Sequence, residues 1–69
     1  MKIVYSNHAK KRMKQRGIEE WEIEQLLKSP AYIKKSFDYR KEAFGELRDR
    51  KIKIIFIEIG NYIKIITVI

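Results

Sequence analysis

Between positions 6 and 16 the only apolar residues are Ala9 and Met13, four apart among polar and basic neighbours. That spacing repeats one face of an α-helix and predicts a narrow buried stripe. Ser6 can cap such a helix by accepting a backbone N–H through its hydroxyl, and Gly17 can end it in the left-handed conformation. A second helix is expected from about Glu19 to Lys28, with Ile23, Leu26 and Leu27 inward and its acids near the positive end of the dipole. Ser29-Pro30 stops it. Trp21 lies off that stripe and is expected as a partly buried rim residue.

After Ala31 the pattern turns to β-type alternation and β-branched runs. Strands are predicted over 32–37, 41–47, 51–59 and 62–69, with Gly60-Asn61 as a two-residue hairpin turn and residues 2–5 as an extended lead-in. Pairing Ile59 with Tyr62 puts Ile52, Ile54 and Phe56 on one face with Ile63, Ile65, Thr67 and Ile69, and that face should meet the helices. The other face then carries Lys53, Ile55, Ile57, Ile59, Tyr62, Lys64, Ile66 and Val68. So apolar a surface predicts a cover: a homodimer, a partner protein or curling of the small sheet would each supply one. The expected fold class is α+β: two N-terminal helices packed on a four-stranded, mainly antiparallel β-sheet.

At 69 residues the chain has room for a single domain, 1–69, and a core this small leaves it marginal alone. No cysteine is present and there is one histidine, so neither a disulfide framework nor a Cys/His metal site is expected, and no cofactor. Lysine and glutamate interrupt every apolar run, which speaks against a membrane span. No charged-then-apolar leader opens the sequence, so the expected location is cytoplasmic. The formal net charge is +7. It is unevenly spread: Lys2, Lys10, Lys11, Arg12, Lys14 and Arg16 precede the first acid, and Arg40, Lys41, Arg48, Arg50, Lys51 and Lys53 form a second, more diluted group. A polyanionic partner, nucleic acid or an acidic protein, fits such a field.

His8, Arg12 and Arg16 are spaced four apart and share one face of the first helix. A phosphodiester on that face would meet one titratable imidazole and two guanidinium forks. Metal-free RNA cleavage needs a base for the 2′-hydroxyl, donors for charge building on phosphorus and an acid for the leaving oxygen. His8 suits the first or last role and Arg12 and Arg16 the second. Lys11, Arg40, Lys41, Arg48 and Arg50 are candidates for phosphate contact, with Arg40, Arg48, Arg50 or Tyr39 supplying the second proton-transfer group. The competing reading is a binding module in which His8 is structural.

The run His8-Ala9, Arg12-Met13, Arg16-Gly17-Ile18, followed by Ile23, Pro30 and Ile66-Thr67-Val68, resembles the DUF4258 family across the chain. That family looks similar to the small RelE-like and barnase-like ribonuclease toxins. The resemblance implies a helix-helix-sheet fold and an endoribonuclease, an mRNA interferase of a toxin-antitoxin system, acting on RNA that lies across the sheet and in some relatives on the ribosome. It marks His8, Arg12, Arg16 and Thr67 as catalytic candidates and an antitoxin as partner. Thr67 is equally accounted for as a core threonine bonded to backbone. Related toxins that poison a topoisomerase offer a further reading, in which the apolar sheet face matters more than His8.

Overall fold

Ser6 begins the first helix as its chemistry suggests, its hydroxyl accepting the Ala9 N–H at 3.0 Å from an extended backbone. In the computed structural model, which describes residues 2–69, the chain runs β1 (Lys2–Tyr5), α1 (Asn7–Arg16), α2 (Glu20–Lys28), β2 (Tyr32–Lys35), β3 (Arg40–Leu47), β4 (Arg50–Ile59) and β5 (Tyr62–Val68). The five strands form one sheet in the order β1-β5-β4-β3-β2, antiparallel except for the parallel pair β1 and β5. The fold is α+β, with a five-stranded mixed sheet in place of four strands, and its helices follow the first strand. The extended lead-in is that extra strand. Its four residues are too few to announce themselves by alternation, yet Ile3 and Tyr5 pair with Ile63 and Ile65 and join the core.

Both helices cover one sheet face. Ala9, Met13, Ile18, Ile23 and Leu26 are buried against Ala43, Ile52, Ile54, Phe56, Ile65 and Val68. Gly17 ends α1 at φ +67°, and the Ile18 N–H returns to the Met13 carbonyl at 2.8 Å while that of Gly17 reaches Lys14 at 3.3 Å. This is a Schellman cap, with Ile18 and Met13 both in the core below it. Trp21 lies off the stripe as expected but is 60% exposed, its indole N–H donating to Glu19 at 3.1 Å.

The Gly60-Asn61 turn holds, with Gly60 at φ +56° and Ile59 opposite Tyr62. Further along, however, Phe56 faces Ile65 while Ile55 faces Thr67, so Ile66 is an extra residue in a β-bulge. A bulge shifts every later side chain to the other face. Val68 therefore enters the core and is fully buried, whereas Thr67 stands beside Ile55 on the open face and Ile69 pairs with Lys53 there. The expectation of a helix-facing Thr67 is overturned. No alternation pattern reveals a bulge inside the apolar run Ile63 to Ile69.

The other two hairpins turn without glycine. Asp38 and Tyr39 (φ +57° and +62°) link β2 to β3, and Arg48 and Asp49 (φ +49° and +65°) link β3 to β4. Positive φ at both central residues is the type I′ pattern, which matches the right-handed twist of the flanking strands.

Candidate nucleic-acid interface

Because β1 stops at Tyr5, the far end of β5 would present an unpaired edge. The start of α1 closes it. The Ser6 N–H donates to the Ile65 carbonyl at 3.0 Å, the Ser6 hydroxyl to that of Ile66 at 2.7 Å, and Arg12 Nε to that of Val68 at 3.4 Å. One serine thus caps a helix and holds the bulge. The helix is laid alongside the end of β5, and the line His8, Arg12, Arg16 runs beside that end.

The three residues of that line differ in situation. Arg12 is half-buried and its guanidinium is engaged with the sheet edge. His8 is exposed, and among the described residues no side-chain hydrogen bond or ion pair involves it. Arg16 is exposed and lines a cleft of about 690 Å³ at the end of the sheet, together with Tyr32, Phe44, Lys51, Lys53 and Ile69. Three cations and one acid, Glu46, line it, and Lys53 is also paired with Glu42 beside the cleft at 3.8 Å.

The cleft has an aromatic platform. Tyr32 and Phe44 are opposite one another on β2 and β3, their rings stacked with centroids 4.4 Å apart and planes 15° from parallel. Lys53, opposite Phe44 on β4, sits with its ammonium 5.9 Å from the Phe44 centroid, within cation–π range. Tyr32 is 58% exposed, so much of its ring is left uncovered by the stack. Sequence reading places Lys51 and Lys53 only in the second cationic group and does not single out Tyr32 or Phe44. Register could not have found them from the turn alone: two central residues at Asp38-Tyr39 would put Tyr32 opposite Gly45, and it is the extra residue at Phe37, with Ser36 bonded to Arg40, that brings Tyr32 opposite Phe44.

Several candidates take structural work instead. Arg48 forms a two-pronged bridge to Glu22, Nε to Oε2 at 2.8 Å and Nη2 to Oε1 at 2.8 Å, and Nη2 also donates to the Gly17 carbonyl at 2.6 Å. Arg50 donates to the Arg16 carbonyl at 2.7 Å. Both arginines thus satisfy carbonyls at the end of α1, where the dipole favours a cation. Glu22 is 1% exposed, and its Oε1 also accepts the Glu19 N–H at 3.0 Å at the start of α2. Lys41 pairs with Glu58. Lys11 is exposed on α1, and Arg40 is exposed on the open face opposite Ile57.

Thr67 does not join the α1 residues on the helix-covered side. It shares the open side with Ile55, whereas α1 packs on the other. Among the described residues, no three or more His, Cys, Asp or Glu gather as a metal site, and no helix is long and apolar enough to cross a membrane.

A family model described as a domain of unknown function, DUF4258, matches residues 5–69. The chain belongs to the DUF4258 family. No curated protein and no solved structure matches it. Within the DUF4258 motif of this chain, the fold explains Ala9 and Met13 as core, Arg12 as an edge cap, and Gly17 and Ile18 as the helix stop. His8 and the Arg16 side chain are left over, exposed on the same helix.

Proposed function

We propose that this domain binds single-stranded RNA, with Arg16, Lys51 and Lys53 holding phosphates at the cleft and Tyr32–Phe44 offering a surface on which a base stacks. The observation that carries this is the meeting, in one cleft, of three cations with a stacked aromatic pair. Aromatic faces beside a positive groove suit single strands, whose bases are free to stack, better than duplexes, whose bases are enclosed. The resemblance to RelE-like toxins belongs to this proposal, and with it an antitoxin that would cover the open face in the resting complex.

A second reading, cleavage of the bound RNA, is favoured by His8, an exposed imidazole on the helix that delivers Arg16 to the cleft. In that reaction His8 takes the proton of a ribose 2′-hydroxyl, the oxygen attacks the adjacent phosphorus, and the P–O5′ bond breaks. The products are a 2′,3′-cyclic phosphate and a 5′-hydroxyl, the latter protonated by a second group or by water. Arg16 stabilises the charge on the phosphoryl oxygens. Arg12, Arg48 and Arg50 are engaged with backbone carbonyls and serve the scaffold.

The test is to incubate labelled single-stranded RNA with purified protein, with and without EDTA. Charge reversal at Arg16 together with Lys53 is expected to weaken binding at least about tenfold, while His8→Ala leaves binding unchanged. EDTA-resistant cutting by the wild type that falls by about 10²-fold or more in His8→Ala establishes the second reading. Binding that survives the charge reversals contradicts the first. Cutting that survives His8→Ala contradicts the second.

A further inference from the structure

Outside the cleft, the most unusual surface is the tip of the β2–β3 hairpin. Phe37 is 86% exposed and Tyr39 is 92% exposed. Two large rings are thus held in water, where apolar area is costly. The backbone is also held against preference, since Tyr39 sits at φ +62°, a region that bulky side chains rarely adopt and that asparagine or glycine fills readily. The β3–β4 hairpin makes the same kind of turn, but there Arg48 is locked by its bridge to Glu22. Among the described residues, no side-chain hydrogen bond or ion pair anchors Tyr39.

The tip is cationic. Lys34, Lys35 and Arg40 are exposed around it, Lys41 stands beside them, and Asp38 is the one acid between residues 34 and 41. Lys35, Tyr39, Arg40 and Lys41 border a shallow depression of about 570 Å³. Arg40 and Lys34 lie on the open face, as do Tyr32 and Phe44, so the tip and the cleft are two ends of one surface. Along β3, Tyr39 and Phe44 are five residues apart, roughly 17 Å at the usual rise per residue.

We propose that Phe37 and Tyr39 form an aromatic finger that stacks on bases of the same single-stranded RNA, upstream or downstream of the cleft, with Lys34, Lys35 and Arg40 contacting its phosphates. The finger rests on the reading of the cleft as an RNA site and extends it to a second stacking station. A single strand meets both features, rings and cations, at once. A duplex meets only the cations. An anionic bilayer would use the same residues, but the finger's continuity with the stacked pair and cations of the cleft favours RNA.

The experiment compares wild type with Phe37→Ser/Tyr39→Asn, a variant that removes both rings, keeps every charge and relieves the turn. Its thermal midpoint is expected to equal or exceed that of wild type. Three probes are used: a fluorescein-labelled oligouridylate, a blunt RNA duplex of equal length, and phosphatidylserine-containing vesicles. The finger predicts at least about tenfold weaker oligouridylate binding, an unchanged salt slope and unchanged duplex binding. Oligouridylate affinity within about twofold of wild type overturns it. So does an equal loss on duplex, or a loss confined to vesicles, which would assign the tip to a lipid surface. Arg16→Glu, measured in parallel, separates the two sites: if it weakens binding and the finger variant does not, the cleft stands without the finger. If the finger variant alone weakens binding, the finger stands and the cleft reading falls. A wild type that binds no oligouridylate overturns both.

Discussion

Glu22 ties three parts of the molecule together. Its carboxylate is buried, yet it holds the first turn of α2, and through Arg48 it fastens the β3–β4 hairpin to the end of α1. Removing one member of a buried ion pair leaves the other unmatched, at a cost of about 3–5 kcal/mol when both are fully buried. Here Arg48 is 58% exposed and water can still reach it, so Glu22→Gln is expected to cost about 2 kcal/mol in a denaturant titration. Exposed Glu24→Gln should change stability by less than about 0.5 kcal/mol. Tyr5 makes a prediction about pH. Burial, and then the charges of Glu20 and Glu24, push its phenol up from 10.0 to about 12. The unfolded chain therefore releases that proton first as pH rises, so stability falls between about pH 10 and 12 and not below. Tyr5→Phe should remove this component, seen as a flatter stability profile in that window.

At the level of elements, helix α1 and strand β5 depend on one another through Ser6. Its hydroxyl has two partners, the Ala9 N–H and the Ile66 carbonyl, so Ser6→Ala loses a cap and leaves a bulge carbonyl without its donor. A cost of about 1–2 kcal/mol is expected, larger than for Gly17→Ala, whose added Cβ meets nothing within 4 Å and whose roughly 1 kcal/mol comes from backbone alone. Gly45→Ala is the opposite case, because a Cβ there would stand 2.8 Å from Leu26 Cγ where α2 crosses β3. It should cost about 1–3 kcal/mol by equilibrium unfolding, and Leu26→Ala in the same chain should cost less than it does alone. The helices and the β4–β5 turn were legible because caps, Gly17 and Gly60-Asn61 are local signals. The β1–β5 pairing joins residues about sixty positions apart and the bulge lies within an unbroken apolar run, so neither leaves a local trace. For the same reason the His8, Arg12, Arg16 line was visible from spacing, while the cleft, assembled from three strands, Ile69 and a helix end, was not. Thr67 failed as a helix-facing residue through that one extra position at Ile66.

Across the whole molecule, one sheet face is filled by the helices and the other is left open, with Ile55 and Ile57 at its centre and Lys53, Lys64, Arg40 and Lys34 around them. Val68 faces the core while Thr67 and Ile69 face the open side, so the bulge changes which residues of β5 that face carries. Cations at the end of α1 divide into two groups: Arg12, Arg48 and Arg50 close the scaffold, and Arg16, Lys51 and Lys53 line the cleft. Only the second group should be felt by a polyanion as released counterions. The salt dependence of single-stranded RNA binding, measured for wild type and for Arg16→Gln/Lys51→Gln/Lys53→Gln, tests this division directly. If the three side chains each hold a phosphate, affinity falls and the slope of log K against log salt becomes shallower by about 2. A triple variant with the affinity and slope of wild type would contradict RNA binding at the cleft.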